Sequence, residues 1–339
     1  MRRIAYVDPS SEGIRRKGAG KGYFYLYGDG TKVPPGEELD RIRSLAIPPA
    51  WKDVWICPRP DGHIQATGVD SAGRRQYIYH PDWIAERQAE KFERSLSLAW
   101  ALPNARRRVT LDLRSRGGTG RRAVAAAFRI LDTTGMRIGS REYARVNGTY
   151  GVSTLEIQHA SVSGSALSLQ FTGKGGQEWA VSLEDSDLAK AVRPMLRREP
   201  TQQLLAAKEG GAWRRLTAEA VNDYIRDVAG DGFTAKDLRT WRATVVAGQS
   251  LAWDTAAGTG EKERRKLIKE AIDVTAQFLA DTPKVTQDSY VDPRLFDAFL
   301  DGDAPARFPV TETAVRDLLD SRAQPDDSRA PADGSRGGA

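Results

Sequence analysis

The chain of 339 residues switches between two hydrophobic periods. From residue 22 to residue 80, apolar and polar positions alternate in short runs, the signature of strands with one covered face. Tyr23–Tyr27 reads as an aromatic strand closed by Gly28-Asp29-Gly30. A brief helix follows over Glu37–Leu45, then the proline break Ile47-Pro48-Pro49-Ala50-Trp51. Further strands are expected at Val54–Cys57, His63–Thr67 and Gln76–His80, separated by turn signals at Asp61-Gly62 and Asp70–Gly73. Residues 1–21 are polar and glycine-rich and read as a loose arm, so residues 1–82 are expected to form a small β-rich domain.

Beyond residue 82 the apolar positions return every three or four residues, as on a helix with one buried stripe. Helices are expected over residues 82–102, over Arg122–Leu131 and briefly through Tyr143. Three alternating runs, Thr154–His159, Ala166–Thr172 and Glu178–Leu183, predict a three-stranded antiparallel sheet. Its inner faces would carry Leu167, Leu169 and Phe171 on one strand and Trp179, Val181 and Leu183 on the next. Helical spacing resumes over Thr217–Val228, Thr234–Gly248 and Glu261–Ala280. In the middle one Thr234 and Asp237 form a cap signal, Leu238, Trp241 and Val245 face a core, and Gly248 closes the end. Residues 83–318 thus read as a mainly α second domain, and 319–339, mostly Asp, Ser, Arg, Ala, Pro and Gly, as a disordered tail.

Charge suits an anionic partner without proving one: the formal net charge is +6 and the pI near 9.4. The single cysteine, Cys57, excludes an internal disulfide, and no Cys/His cluster has zinc-site spacing, so no metal is expected. The first residues lack the apolar run of a signal peptide, and no stretch reaches membrane-spanning length. The expectation is a soluble, cytoplasmic protein.

Several basic positions then stand out, each with a plainer reading beside it. Arg74-Arg75-Gln76-Tyr77-Ile78-Tyr79 puts Tyr77 and Tyr79 on one face of a strand, and Arg74, Arg75, Gln76, Tyr77 and Tyr79 suit phosphates and base edges. The same run also suits an aromatic strand packing on its neighbours. Arg106-Arg107-Arg108, Arg114, Arg116, Arg121 and Arg122 read as a basic, flexible crossing between domains, either a phosphate-tracking segment or a solvated linker. Arg137 lies between Met136 and Ile138, where a charge needs a carboxylate or a bound anion. Lys174 sits on a hairpin tip, Gly173-Lys174-Gly175-Gly176, that does not need a lysine to turn. Lys236 and Arg239, three apart on one helix, can reach a single anion, or simply be solvated.

In that order, Arg137, Lys174, Arg239 and finally Tyr290, the chain resembles the small type IB DNA topoisomerases of poxviruses and bacteria. The resemblance runs from about residue 20 to residue 300. It includes Ile47-Pro48-Pro49-Ala50-Trp51, Gly62–Gly68 and Gly73–Tyr77, and most specifically Arg137-Ile138-Gly139, Phe171-Thr172-Gly173-Lys174, Lys236–Trp241 and Ser289-Tyr290. It implies an α+β fold in which a β-rich and a mainly α domain close as a C-shaped clamp on duplex DNA. It implies a monomer that relaxes supercoils through a 3′-phosphotyrosyl intermediate, with no cofactor and no nucleotide. Tyr290 would be the nucleophile, Arg137 and Arg239 would hold the non-bridging oxygens, and Lys174 would protonate the leaving oxygen, with Lys236 as a helper for that proton or a phosphate contact.

One position departs from the family pattern. Nine residues before the tyrosine the family places histidine or asparagine as a donor to the phosphate, and this chain has Asp281. An ionised carboxylate only accepts hydrogen bonds, so slower cleavage is expected unless Asp281 merely caps the next helix and points away. Two other readings stand beside the topoisomerase: a tyrosine recombinase, which usually carries a helical domain where residues 20–82 read as strands, and a DNA-binding protein without catalysis.

Overall fold

The first strand needs few apolar residues, because pairing along one side, and at its first two residues on the other, satisfies much of its backbone. The computed structural model describes residues 4–20, 22–115, 119–253, 259–306 and 308–323. The chain divides into two compact units, Met1–Lys91 and Phe92–Ala339. In the first, β1 (Ile14–Ala19), β2 (Gly22–Leu26), β3 (Lys52–Ile56), β4 (Ile64–Val69) and β5 (Arg75–Tyr79) form an antiparallel sheet in the order β2-β1-β3-β4-β5. Helix α1 (Glu37–Ser44) lends Ile42 to a core with Ile14, Val33, Val54, Ile56 and Ala66.

The loose arm expected for residues 1–21 is therefore corrected. Ile14 is the one buried anchor of β1, while its other residues contribute backbone pairing that no side-chain pattern announces. Further back, Ala5 bridges to Gly62, and the Tyr6 ring packs against His63 and Trp83. Trp83 lies in α2 (Pro81–Arg114), and so the first unit extends past residue 82 into the opening turns of that helix.

Helix α2 also replaces the expected flexible crossing. Leu98, Leu102, Ala105, Val109 and Leu113 keep an unbroken buried stripe through the arginine-rich stretch. The arginines form structural ion pairs: Arg106 with Asp132 and Glu312, Arg108 with Asp227, Arg114 with Asp187, and Arg121 with Asp112 and Asp227. Arg116 lies outside the described residues. Helices α3 (Thr119–Thr134) and α4 (Arg141–Asn147) follow.

The three-stranded sheet exists, but its first strand is later than expected. β6 (Ala160–Ser163), β7 (Ala166–Thr172) and β8 (Glu178–Glu184) pair in that order. Residues 154–159 turn instead, because polar side chains bind local backbone: Thr154 Oγ1 accepts from Gly151 N, and His159 Nδ1 from Glu156 N. After α5 (Ser186–Val192), a hairpin that no periodicity predicts, β9 (Ala206–Glu209) and β10 (Ala212–Arg215), turns at Gly210-Gly211.

The remaining elements are helical: α6 (Ala218–Ala229), α7 (Ala235–Ser250), α8 (Glu261–Leu279), α9 (Pro283–Ser289), α10 (Pro293–Asp301) and α11 (Glu312–Ala323). Gly248 is not a helix end, since α7 continues to Ser250. A Cβ on Gly248 would stand 2.6 Å from Val315 Cγ2, so the glycine is a notch that seats α11. Helix α11 in turn takes up residues 319–323 of the expected tail, with Leu319 buried; residues 324–339 lie outside the described residues.

Candidate active site

Helix α7 starts as its sequence predicts. The Asp237 carboxylate accepts from the backbone N–H of Thr234 at 2.9 Å and from its hydroxyl at 2.8 Å, and its other oxygen accepts from Arg94 Nε at 2.8 Å. That carboxylate is buried, so the capping box and the ion pair together fix the first turn, which carries Lys236.

One turn on, Arg239 is only 3% exposed. Burial alone is unfavourable for a guanidinium, so its donors are distributed with care. Nη1 donates to the Gly135 carbonyl, and Nη2 donates to the Leu279 carbonyl at 3.1 Å and to Asp281 Oδ2 at 3.0 Å. Nε has no partner among the described residues. Burial first, and then the like charge of Arg137, lower the Arg239 pKa, while Tyr290 and Asp281 act the other way. Gly135 must be glycine: its φ is +64°, and a Cβ there would meet Leu279 Cδ2 at 2.9 Å.

Arg137 extends from the loop after α3, gripped by a second segment. Val152 N donates to the Arg137 carbonyl at 3.0 Å and Ser153 N to that of Ile138 at 2.7 Å. Its guanidinium meets Arg239 across one atom, because Arg137 Nη2 also donates to Asp281 Oδ2. The anion that an arginine in this apolar setting calls for is thus a carboxylate of the same chain. Asp281 does not point away as a mere cap would: Oδ1 accepts from Thr282 N at 3.1 Å while Oδ2 sits on the arginine pair.

Tyr290 ends α9, its ring centroid 4.6 Å from Arg239 Cζ. Buried Thr244 on α7 holds the chain here: its hydroxyl accepts from Asp292 N at 3.1 Å, and its one proton is shared between the Thr240 carbonyl at 3.1 Å and the Tyr290 carbonyl at 3.3 Å. Lys174 and Lys236 are exposed and line, with Arg137, Arg239, Tyr143, Tyr150 and Tyr290, a cleft of about 270 Å³. The Lys174 hairpin tip is stiffened by stacking of Phe171 on Trp179, and Tyr150 N donates to Thr172 O at 2.9 Å. Among the described residues no three His, Cys, Asp or Glu side chains gather as metal ligands.

In the first unit, Tyr77 and Tyr79 are exposed and stacked, ring centroids 5.8 Å apart. Arg74 Nε and Gln76 Nε2 instead donate to Asp70, at 2.9 and 2.8 Å, and Arg75 stands exposed. Led by a hydrogen bond from the Arg74 backbone, these contacts hold the Asp70 carboxyl down at about 2.

Two family models cover most of the chain. The one for the catalytic core of eukaryotic DNA topoisomerase I matches residues 80–294, and the one for the N-terminal domain of bacterial DNA topoisomerase IB matches residues 22–70. The chain belongs to the type IB DNA topoisomerases. Among type IB relatives, it is 31% identical to the DNA topoisomerase 1B of Acanthamoeba polyphaga mimivirus over 286 residues, 83% of this chain and 85% of that protein. It is 23% identical to the DNA topoisomerase 1B of Vaccinia virus (strain Copenhagen) over 228 residues, 66% of this chain and 68% of the viral one. The type IB match at residues 22–70 falls on the sheet-rich unit.

Reading the sequence alone misses Thr244, Gly135 and the Asp237–Arg94 pair. Thr240 and Thr244, one turn apart on the buried side of α7, are a signal that threonines there bond to something. Within the helix Thr240 returns its hydroxyl to the Lys236 carbonyl and Thr244 reaches that of Thr240; only the reach of Thr244 to Tyr290 and Asp292 is a long-range fact.

Proposed function

We propose that this chain performs the type IB reaction on duplex DNA through Tyr290, Arg137, Arg239 and Lys174, with Lys236 assisting. The Tyr290 hydroxyl loses its proton to solvent as its oxygen attacks a backbone phosphorus; the bond to the 5′-oxygen breaks as the 3′-phosphotyrosyl bond forms, and the 5′-oxygen leaves with a proton from Lys174. The free strand rotates, and the 5′-hydroxyl returns to the phosphorus, expelling Tyr290. The ester bond is conserved throughout, so the cycle needs no ATP.

The observation that supports this reading best is the meeting of the Arg137 and Arg239 guanidiniums on one anionic oxygen, with the Tyr290 ring against Arg239. Fixed guanidiniums stabilise charge developing on non-bridging oxygens, and one such donor is worth about a hundred- to a thousand-fold in rate. Lys174 and Lys236 line the same cleft, on a mobile-length side chain each, where a proton can be delivered to a leaving oxygen. A C-shaped clamp, with Arg75, Tyr77 and Tyr79 contributing from the β-rich unit, and action as a monomer complete the proposal.

Relaxation of a supercoiled plasmid without ATP, in the presence of EDTA, tests the activity. Tyr290→Phe removes one oxygen and no charge, so it is expected to bind DNA and form no covalent adduct on a denaturing gel. An adduct that persists in Tyr290→Phe would move the nucleophile elsewhere, with Tyr143 and Tyr224 next to examine.

A further inference from the structure

The two guanidiniums assigned above to the scissile phosphate are already bridged by an anion of the chain itself. Oδ2 of Asp281 accepts from Arg137 Nη2 and, at 3.0 Å, from Arg239 Nη2, and the side chain is 11% exposed. A carboxylate oxygen and a non-bridging phosphate oxygen make the same demand on a guanidinium. They cannot both occupy those donors. Resting on the functional reading above, we propose that Asp281 is an internal stand-in for the scissile phosphate, a latch that DNA displaces before Tyr290 reacts.

Two further features fit a latch rather than a static brace. The first is strain. Ala280, just before Asp281, has φ of 46°, a left-handed conformation that is unfavourable for a residue with a Cβ. Here the chain stops α8, Asp281 N donates to Ala276 O at 3.0 Å, and the carboxylate turns toward the arginines. Strain of this kind persists where the surroundings impose it, and at sites that change state. The second feature is light packing. Helix α9 starts at the cap residue Thr282, whose N–H holds Oδ1 of Asp281, and it runs to Tyr290. Of its seven residues only Thr286 is buried.

The far end of α9 is fastened, since the buried Thr244 hydroxyl accepts from Asp292 N at 3.1 Å and shares its proton between the Tyr290 and Thr240 carbonyls. Asp281 fastens the near end to the arginine pair. When a phosphodiester takes the arginines, the near end is released and the far end stays, so phosphate arrival and adjustment of the tyrosine segment become one event. The latch also screens ligands. A small free anion must displace a carboxylate tethered at high local concentration, whereas duplex DNA brings many other contacts to the contest.

Asp281→Asn tests this cleanly, because asparagine keeps an acceptor for Thr282 N and removes the charge. Inorganic phosphate is expected to raise the melting temperature of Asp281→Asn and to leave the parent unchanged. In single-turnover cleavage of a nicked duplex that traps the adduct, Asp281→Asn is expected to be faster by about tenfold or more, the scale of removing one repulsive charge from such a site. Asp281→Ala is expected to gain the same phosphate response. Equal phosphate responses in parent and Asn variant, or cleavage no faster in Asp281→Asn, would overturn the latch. If neither parent nor variants form an adduct, the functional reading fails, and the phosphate response still decides whether Asp281 occupies an anion site.

Discussion

Glu312 offers a test of how the last helix holds α7 in place. Its carboxylate accepts from Trp241 Nε1 at 2.6 Å and from Arg106 Nη1 and Nη2, each at 2.9 Å. Trp241 stands two residues from Arg239 and is 2% exposed, so Glu312→Ala leaves a buried indole N–H without an acceptor. That costs about 1–3 kcal/mol. Arg106 is not stranded, because Asp132 still takes Nε at 2.7 Å and Nη2 at 2.8 Å. With the Arg106 and Glu312 side chains 33% and 25% exposed, the lost ion pair adds about 1 kcal/mol, well below the cost of orphaning a fully buried charge. The sum is about 3 kcal/mol for Glu312→Ala. Glu312→Gln keeps an acceptor for Trp241 and is expected to cost about 1 kcal/mol. Calorimetry on the unfolding of the second unit measures both. Equal losses for the two variants would refute the assignment of the difference to the Trp241 N–H. So would a loss below about 0.5 kcal/mol for Glu312→Ala, a value typical of indifferent surface changes.

Three further outcomes are expected. Gly248→Ala pushes a Cβ to 2.6 Å from Val315 Cγ2, so about 1–3 kcal/mol of overpacking outweighs the gain in helix propensity of about 1 kcal/mol, and thermal melting should show a net loss. His159 has a pKa lowered by burial, against the opposing charge of Glu156. Its contribution is therefore full above the ordinary imidazole value of about 6.5 and declines as pH falls through the lower folded value, at no more than about 1.4 kcal/mol per pH unit. Urea titrations between pH 7 and pH 5 should show that decline, and His159→Gln should flatten it. Arg75→Ala should lower the dependence of log K for DNA on log salt by about one, and an unchanged slope would remove Arg75 from the phosphate contacts.

The legible parts of this chain are those whose cause lies nearby. The start of α7 could be read because Thr234 and Asp237 cap each other, and its core face because Leu238, Trp241 and Val245 share a stripe. Arg137, Lys174, Arg239 and Tyr290 stand out through the resemblance of their motifs, in order, to the type IB family, and the fold brings them to one cleft. Asp281 stood out as an unusual residue at its position, yet its partnership with Arg137 and Arg239 belongs to the folded chain alone. The arginine run in α2 hid the stripe of Leu102, Ala105, Val109 and Leu113, so a packed helix looked like a linker. Gly248 looked like a helix end for the same reason: Val315, which requires it, is remote in sequence.

The two backbone carbonyls that hold Arg239, those of Gly135 and Leu279, are ones that no incoming strand can carry away. In the proposed cycle the part of the positive field that Arg239 supplies is therefore the same when the strand is cut and when it is resealed. A field that does not change lowers both barriers together and favours neither side. Arg239 then tilts neither direction of the proposed reaction, and the drive for rotation comes from the torque stored in the duplex.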